Sequence, residues 1–394
     1  MMNYLVAVDI FFPDQPSGAG RVAWDIAQMM RDQGHCVTIF CRKLTDETAE
    51  FSEYDGVQVI RFAYPKTISL DPLKLYKQET AGLKVAEKYL PMKKWDLVHI
   101  HIPLFGKIVY RVLGKGPKYV YTVHSPLLLE QKAFWLYTGV AGKIKWCLGK
   151  HLLRRLEGNL LIKVDKIHTL SNFTKDTINN FYGVGDKVSV IPHWCRDGFH
   201  RKQSKTEARN KLDLSQDASV LFSVRRLIPR MGLDVAIKAV ASILKEKQRL
   251  YYVIAGSGPQ EKSLKDLVRS LGVSKNITFL GRINDNFLKM YYEASDIFIM
   301  PTRRLECFGL PVLESLAYGL PVISTDVAAL PELLKPILPD YIVPADNVEV
   351  LGEKIKGFLD KKLKIAPQEK LVKYINQHYG REVILPRIRE FLES

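Results

Sequence analysis

The feature that most constrains the fold is a regular alternation of short strand-like runs with helical patterns along the whole chain. Val, Ile and Tyr dominate the runs, and a helical pattern follows most of them. Strands that alternate with helices in this way predict parallel βαβ units. The predicted strands lie near residues 4–9, 36–40, 57–62, 96–100, 119–124, 166–170, 187–191, 219–224, 250–255, 276–280, 296–300, 321–324 and 341–343.

The alternation lapses once, in a polar stretch after the seventh predicted strand. Residues 193–206 read HWCRDGFHRKQSKT. A chain of 394 residues is long for one hydrophobic core, so we interpret this stretch as a linker between two domains of about 200 residues each. The predicted fold class is α/β, with two doubly wound Rossmann-like domains facing a central cleft. In such a fold a ligand binds at the carboxyl ends of the strands.

Composition restricts the location of the protein. Hydrophobic residues make up 47% and charged residues 25% of the chain, and no stretch approaches the ~18 uncharged apolar residues of a spanning helix. The opening MMNYLVAVDIFF has no basic segment before its apolar run, which is typical of a first strand rather than a signal peptide. Five cysteines without metal-type spacing favour free thiols in a reducing cytosol. We therefore expect a cytoplasmic protein, with peripheral attachment to the inner face of the membrane as an open alternative.

The net charge of +16 indicates an anionic partner. Zinc-finger spacing and an aromatic RNA-binding signature are both absent from the sequence, so we expect no nucleic acid. Residues 127–163 instead combine Phe134, Trp135, Tyr137 and Trp146 with basic residues. Such a helical segment can lie in an anionic membrane interface, but a core helix with a solvated basic face fits the pattern equally well. The basic residues are Lys143, Lys145, Lys150, Arg154 and Arg155.

The run ECFGLPVLE places Glu306 and Glu314 on either side of a predicted helix start. Pro311 suits the first helical position and Gly319 suits the stop, which predicts a helix over 311–318. Backbone N–H groups at a helix start favour an anion, and carboxylates can bind hydroxyl groups. The combination suits a sugar nucleotide. A solvated glutamate on an ordinary amphipathic helix is the alternative.

This run, together with the order of several other segments over nearly the whole chain, resembles the retaining glycosyltransferases of family four. That family includes sucrose synthase, bacterial glycogen synthase and many lipid mannosyltransferases. The resemblance implies the GT-B fold, contact of Glu306 with the donor sugar, and binding of the ribose hydroxyls by Glu314. It also implies an acceptor-binding domain at 1–197, completed by a crossing helix at about 377–394, and a donor-binding domain at 198–376.

Two candidate sites lie in the first domain. Gly18 and Gly20 follow the first strand and open a helix, where a backbone can approach a phosphate or a sugar, although a tight turn explains them as well. The resemblance matches them to the family's glycine-rich first loop, with Arg21 close behind. His124 ends the strand KYVYTVHS at the ligand-facing edge of the sheet. A structural histidine is the alternative, and the resemblance implies contact of His124 with the donor sugar.

The segment LFSVRRLIPRMGLD, residues 221–234, ends the first strand of the second half. It resembles the family's Gly-Arg…Lys-Gly motif, whose two cations clamp the diphosphate. Arg226 matches the Arg, whereas Arg225 stands in place of the Gly and Met231 in place of the Lys. Because a guanidinium can bind two phosphate oxygens at once, we expect Arg230 or Arg225 to supply the missing cation. A solvated basic loop is the alternative.

The resemblance assigns donor-binding roles to three further segments. The first is a glycine loop that lines the nucleotide site, although it could be any strand-to-helix turn. The second holds the nucleobase with its main chain, and the third supplies amides at the helix start. In that order, the residues are Gly256 and Gly258, then Arg282 and Ile283, then Phe308, Gly309 and Leu310.

The sequence and the resemblance together predict a retaining hexosyltransferase of cell-envelope polysaccharide synthesis. The preferred donor is a UDP-sugar, with GDP-mannose as the alternative, and the acceptor is a glycan, a lipid-linked sugar or a small molecule. We expect neither a metal nor another cofactor, because fixed amides and arginines can balance the diphosphate charge. Met231 leaves open a non-catalytic sugar-nucleotide-binding subunit. An epimerase or hydrolase of the same fold is a further alternative, and the sequence does not define the oligomeric state.

Overall fold

A computed structural model describes residues 1–15, 17–63, 72–135, 139–364 and 366–394. The chain divides into two compact units, one of Met1–Pro192 with Leu385–Ser394 and the other of His193–Ile384. Each unit is built on a mainly parallel sheet with helices between successive strands. The two α/β units confirm the predicted fold class. All five cysteines carry free thiols, as the sequence suggested.

The sheet of the first unit has eight strands in the order β3-β4-β2-β1-β5-β6-β7-β8. Neighbouring strands are parallel except β3 and β4, which pair antiparallel at the edge. The chain order reverses beside β1, and this switch point lies at the carboxyl ends of β1 and β5. The strands are β1 (Asn3–Ile10), β2 (Cys36–Arg42), β3 (Phe51–Tyr54), β4 (Val57–Phe62), β5 (Leu97–Ile100), β6 (Lys118–Val123), β7 (Lys166–Thr169) and β8 (Val188–Val190).

Six helices of the described chain connect these strands. Except for the exposed edge strand β3, the strands are mostly buried, and the helices cover them with apolar side chains such as Phe105 and Ile108. The helices are α1 (Gly18–Asp32), α2 (Pro72–Tyr89), α3 (Pro103–Leu113), α4 (Leu127–Trp135), α5 (Gly139–Lys163) and α6 (Asn172–Tyr182).

The sheet of the second unit has six parallel strands in the order β11-β10-β9-β12-β13-β14. Here the order reverses between β9 and β12, so the loops after these two strands flank the switch point. The strands are β9 (Ser219–Val224), β10 (Leu250–Ala255), β11 (Ile277–Gly281), β12 (Ile297–Met300), β13 (Val322–Thr325) and β14 (Ile342–Val343). The helices are α7 (Lys205–Lys211), α8 (Leu233–Leu244), α9 (Glu261–Ser270), α10 (Asp285–Ala294), α11 (Leu310–Ala317), α12 (Leu330–Leu334), α13 (Val348–Leu359) and α14 (Gln368–Tyr379). Helix α15 (Arg381–Glu393) begins in this unit and belongs to the first unit from Leu385 onward.

The division of the chain differs from the predicted boundaries at 197 and about 377. Residues 193–197 belong to the second unit, because Cys195 N–H donates to the Tyr379 carbonyl at 2.8 Å and Arg196 pairs with Glu314. Helix α14 packs on α11 in the same unit. The chain returns to the first unit at Leu385. The segment that follows is held there by Lys166, whose Nζ donates to the Phe391 carbonyl at 3.0 Å.

Candidate active site

Two loops at the switch point of the second sheet are locked together through their backbones. Arg303 N–H, after β12, donates to the Arg230 carbonyl, after β9, at 2.8 Å. Gly232 has a φ of 68°, and a Cβ at this position would lie 1.9 Å from the Pro301 carbonyl oxygen. Only glycine permits this approach. The loop that carries Glu306 is therefore held against the loop that carries the candidate arginines.

The glycine loop after β10 packs on the same arginine segment. A Cβ on Gly256, which has a φ of 126°, would lie 1.8 Å from the Arg225 carbonyl oxygen, and one on Gly258 would lie 2.4 Å from that of Leu227. Arg282 is exposed and donates to Ser257 Oγ at 2.9 Å, and its neighbour Ile283 is partly buried. The two glycines thus serve close backbone packing at this edge of the sheet, and their donor-binding role stays a prediction.

Helix α11 begins one residue earlier than predicted. Gly309 precedes it with a φ of 106°, a left-handed conformation that favours glycine. Leu310 is the first helical residue, Pro311 lies within its first two positions, and Gly319 with a φ of 67° follows the end at Ala317. Phe308 is buried, with its ring centroid 6.4 Å from that of Tyr379. The helix start that the sequence placed between two glutamates is therefore present at the carboxyl end of β12.

Glu306 is fixed through its backbone and its side chain. The residue before it, Leu305, has a φ of 55°, which is strained for a residue with a branched side chain. The Arg230 guanidinium donates to the Leu305 carbonyl, and the Glu306 carbonyl accepts from Ala329 N–H at 3.0 Å. Glu306 Oε2 accepts from Arg225 Nη2 at 2.7 Å. The carboxylate consequently has a defined direction.

The three candidate arginines after β9 lie in different environments. Arg225 is buried, Arg230 is partly buried and Arg226 is exposed. Arg225 Nη2 also lies 2.5 Å from the sulfur of Met231, the residue found in place of the family lysine. The structure therefore brings Arg225, Arg230, Met231 and Glu306 together.

The second glutamate, Glu314, is buried within α11 and has two partners that the sequence did not indicate. Its Oε1 accepts from Arg196 Nε at 2.8 Å, and its Oε2 accepts from the Tyr292 hydroxyl at 2.9 Å. Burial alone would lower the pKa of Arg196, but the carboxylates of Glu314 and Asp285 outweigh it and raise the pKa. Burial, reinforced by Glu314, raises the pKa of Tyr292 well above its usual value. Glu314 is thus held in a charged, rigid setting.

In the first unit, the glycine loop caps α1. Ser17 Oγ accepts from Gly20 N–H at 3.1 Å, and a Cβ on Gly20 would lie 2.7 Å from that oxygen. Gly18 has open space around it, because a Cβ at this position would meet nothing within 4 Å. The Arg21 guanidinium lies 3.9 Å from the centroid of the Phe12 ring. Gly20 is therefore needed for the cap, whereas Gly18 leaves its backbone accessible.

His124 follows β6 and is hydrogen-bonded to a second histidine that the motif matches did not indicate. His124 Nε2 and His101 Nδ1 are 2.8 Å apart, and the two rings stack with centroids 5.1 Å apart. The signal for His101 is the His-x-His pattern at the end of β5. Nearby, burial lowers the pKa of His99 well below its usual value, and the charges of His168 and His124 add to the effect. His124 is therefore oriented by a polar network, and its contact with a donor sugar stays a prediction.

Family models match both parts of the chain. The one described as "Glycosyltransferase Family 4" matches residues 16–195, and the one described as "Glycosyl transferases group 1" matches residues 204–378. This protein belongs to the group 1 glycosyltransferases of family four. It is accordingly a glycosyltransferase and not a non-catalytic subunit, its membership of this family argues against an epimerase or hydrolase, and its fold is GT-B.

Relatives of this family four glycosyltransferase include an alpha-monoglucosyldiacylglycerol synthase from Streptococcus pneumoniae. The two are 28% identical over 319 residues, which is 78% of this chain and 68% of the relative. A sucrose-phosphate synthase from Thermosynechococcus elongatus has the same fold, with a TM-score of 0.85, 19% identity and coverage of 99% and 98% of the two chains. HepE from Anabaena, solved in complex with UDP-glucose, has a TM-score of 0.76 at 17% identity, with both chains covered completely.

The basic, aromatic segment of this glycosyltransferase is only partly as expected. Trp135 packs with Trp146 in a small apolar cluster, whereas Phe134 is exposed; Tyr137 lies outside the described residues. The large exposed apolar residues of α5 are instead aliphatic, and Ile162 near the end of the helix is one of them. The other four are spaced four residues apart: Val140, Ile144, Leu148 and Leu152. Within the described chain, no helix is both long and apolar enough to cross a membrane.

Proposed function

We propose that this enzyme transfers a hexose from a UDP-sugar to a lipid-linked hydroxyl acceptor, with retention of the anomeric configuration. The observation that carries the proposal is the pair Glu306 and Glu314 around the start of α11, at the carboxyl end of β12. Glu306 is partly exposed and directed by Arg225, as a residue that binds sugar hydroxyls must be. Glu314, whose carboxylate is oriented by Arg196, is assigned to the ribose hydroxyls.

The chemistry requires that negative charge on the leaving diphosphate is stabilised. Arg226 and Arg230 follow β9 at the switch point, and amides at the start of α11 add positive partial charge. In the proposed retaining reaction, the bond from the anomeric carbon to the diphosphate oxygen breaks while the acceptor oxygen attacks from the same face. A leaving phosphate oxygen takes the acceptor proton. His124 has the donor-sugar role that the family resemblance implies, and we expect activity to survive chelation of divalent cations.

The preference for a UDP-sugar is supported by the similarity to HepE, whose structure contains UDP-glucose. GDP-mannose is the competing donor. Thermal shifts with UDP, GDP and ADP sugars test the preference, because a ligand at ~100 times its Kd adds about 2.7 kcal/mol of stability. We expect a shift with the UDP-sugar that is lost in Glu314→Ala. A shift with the GDP-sugar alone would reverse the assignment of the donor.

The proposal of a lipid acceptor is supported by α5. Leu148 is 78% exposed, and the aliphatic stripe Val140, Ile144, Leu148 and Leu152 runs beside exposed Lys143, Lys145, Arg154 and Arg155. Apolar residues beside cations on one helix suit an anionic membrane interface. The name of one relative, the monoglucosyldiacylglycerol synthase, denotes a sugar-bearing lipid product.

Vesicle pelleting tests the membrane contact. We expect the protein to pellet with vesicles that contain an anionic lipid and not with neutral vesicles. Leu148→Glu should reduce pelleting about tenfold, because a charge replaces an apolar side chain that would be buried in the membrane. Met92→Glu is the matched control, since Met92 is 77% exposed on another element of the same unit. Equal pelleting of Leu148→Glu and wild type would refute the role of α5.

A further inference from the structure

The guanidinium of Arg225 is enclosed by three groups of the second unit. It lies 2.5 Å from Met231 Sδ, contacts the sulfur of Met300, and donates to Glu306 Oε2 at 2.7 Å. The Arg225 side chain is 3% exposed and that of Glu306 is 20% exposed. An incoming ligand therefore reaches the carboxylate before the guanidinium. This arrangement indicates that Arg225 orients the Glu306 carboxylate and does not itself contact a diphosphate.

The backbone of Arg225 is also fixed. Its N–H donates to the Ala255 carbonyl at 2.9 Å, and Gly256 packs directly on its carbonyl oxygen. The point from which the side chain extends is consequently fixed against the end of β10. A charge-assisted bond from such a fixed donor determines the orientation of the Glu306 carboxylate.

The same geometry explains why position 231 carries a neutral residue. A lysine at this position extends two bonds beyond the sulfur of Met231, so its ammonium would meet the Arg225 guanidinium. Two cations in contact at a buried site repel each other strongly. If Arg225 is removed, however, the same ammonium can occupy the space of the guanidinium and reach Glu306.

We propose that Arg225 is a positioning residue for Glu306 and that its guanidinium is what excludes a cation from position 231. In this chain the cation that orients the Glu306 carboxylate is Arg225, at the end of β9, and not a residue at position 231 in the loop that follows. This inference rests on the proposed role of Glu306 in binding the donor sugar.

A double-mutant cycle of Arg225→Ala and Met231→Lys tests the inference. Each single variant should lower kcat with the UDP-sugar at least about tenfold, since each disturbs a charge-assisted bond to Glu306. The double variant should recover most of that loss. Met231→Leu is the matched control for Met231→Lys, because it changes the side chain without adding charge, and it should lose less activity.

The Kd for UDP separates positioning from direct contact. UDP lacks the sugar, so Arg225→Ala should leave its Kd within about threefold while kcat falls, provided that Arg225 acts through Glu306. An equal loss in UDP affinity and kcat would show that Arg225 binds the diphosphate, and it would overturn the inference. A folded double variant that is no more active than Arg225→Ala would overturn it as well.

The melting temperatures of the four proteins of the cycle distinguish this inference from the proposed function. Met231→Lys should lower the melting temperature of wild type but raise that of Arg225→Ala, whichever donor the enzyme uses. If wild type neither binds UDP nor uses a UDP-sugar, the proposed donor is wrong. The melting temperatures of the cycle still show whether residues 225 and 231 are coupled. Independent, additive melting shifts would show that residues 225 and 231 are not coupled.

Discussion

Glu157 offers a sharp test of the electrostatics of the first unit. Its carboxylate is completely buried beneath α4 and accepts from the Tyr182 hydroxyl at 2.8 Å, from the Tyr121 hydroxyl at 3.2 Å and from Leu127 N–H at 3.0 Å. Burial raises its pKa from 4.5 to about 7, although these hydrogen bonds oppose the shift. Leu127 begins the helix that follows His124 by three residues, so the network supports the His124 loop. Glu157→Gln replaces this carboxyl group with an amide that does not ionise.

The sign and size of the effect follow from the shift. The pKa is higher in the folded protein, so the folded state binds more protons between pH 4.5 and about 7. The stabilising contribution of the bound proton is complete below the unfolded pKa and is lost as the pH rises through the folded one. At 1.36 kcal/mol per pKa unit, the loss is about 3 kcal/mol. Glu157→Gln has no carboxyl group to titrate, so its stability does not fall in this way. The difference in free energy of unfolding, variant minus wild type, should therefore increase by that amount as the pH rises.

Melting curves at pH 5, 6, 7 and 8 measure this difference. For a unit of about 200 residues, each kcal/mol corresponds to roughly 2–4 °C, so the variant should gain roughly 6–12 °C on wild type across the range. His99 and other groups titrate in both proteins and cancel from the difference. Glu87→Gln, an exposed glutamate of the same unit, should give no such trend. Parallel melting curves for wild type and Glu157→Gln would refute the buried-acid reasoning.

Two further predictions concern the second unit. Gly256→Ala should prevent folding or lower the melting temperature severely, because its Cβ would lie 1.8 Å from a carbonyl oxygen. Gly272 has a φ of 71° and open space around it, so Gly272→Ala should lower the free energy of unfolding by only about 1–2 kcal/mol. Thermal unfolding of both variants measures the difference. Arg196→Ala should cost about 1.5–3 kcal/mol in urea unfolding, because it removes a charged partner from buried Glu314. The exposed pair of Arg381 should contribute at most about 1 kcal/mol. A similar cost for Arg381→Ala and Arg196→Ala would contradict the distinction between buried and exposed pairs.

Much of the fold could be predicted because local patterns determine it. The alternation placed β9 and β10 at their observed residues, and Pro311 and Gly319 placed α11 within one residue. The edge strand β3 was not predicted, because FSEY is short and mostly exposed, so it lacks the apolar pattern of a central strand.

The site was less predictable because its key contacts join residues distant in sequence. Arg196 lies in a polar stretch that suggested a linker, yet it pairs with Glu314, 118 residues away. Met231 suggested a missing cation, but the structure shows that Arg225 lies against it and binds Glu306. Single-residue motif matching cannot reveal such compensation, since the information is in the packing of two loops.

The most direct test of the assigned site is to incubate the purified enzyme with a UDP-α-hexose and a lipid acceptor in anionic vesicles and to determine the anomeric configuration of the product by NMR. We predict UDP release that depends on the acceptor, an α-linked glycolipid, and loss of both in Glu306→Gln even though this variant remains folded. A β-linked product would contradict retention. Undiminished turnover in Glu306→Gln would contradict the assignment of the site itself.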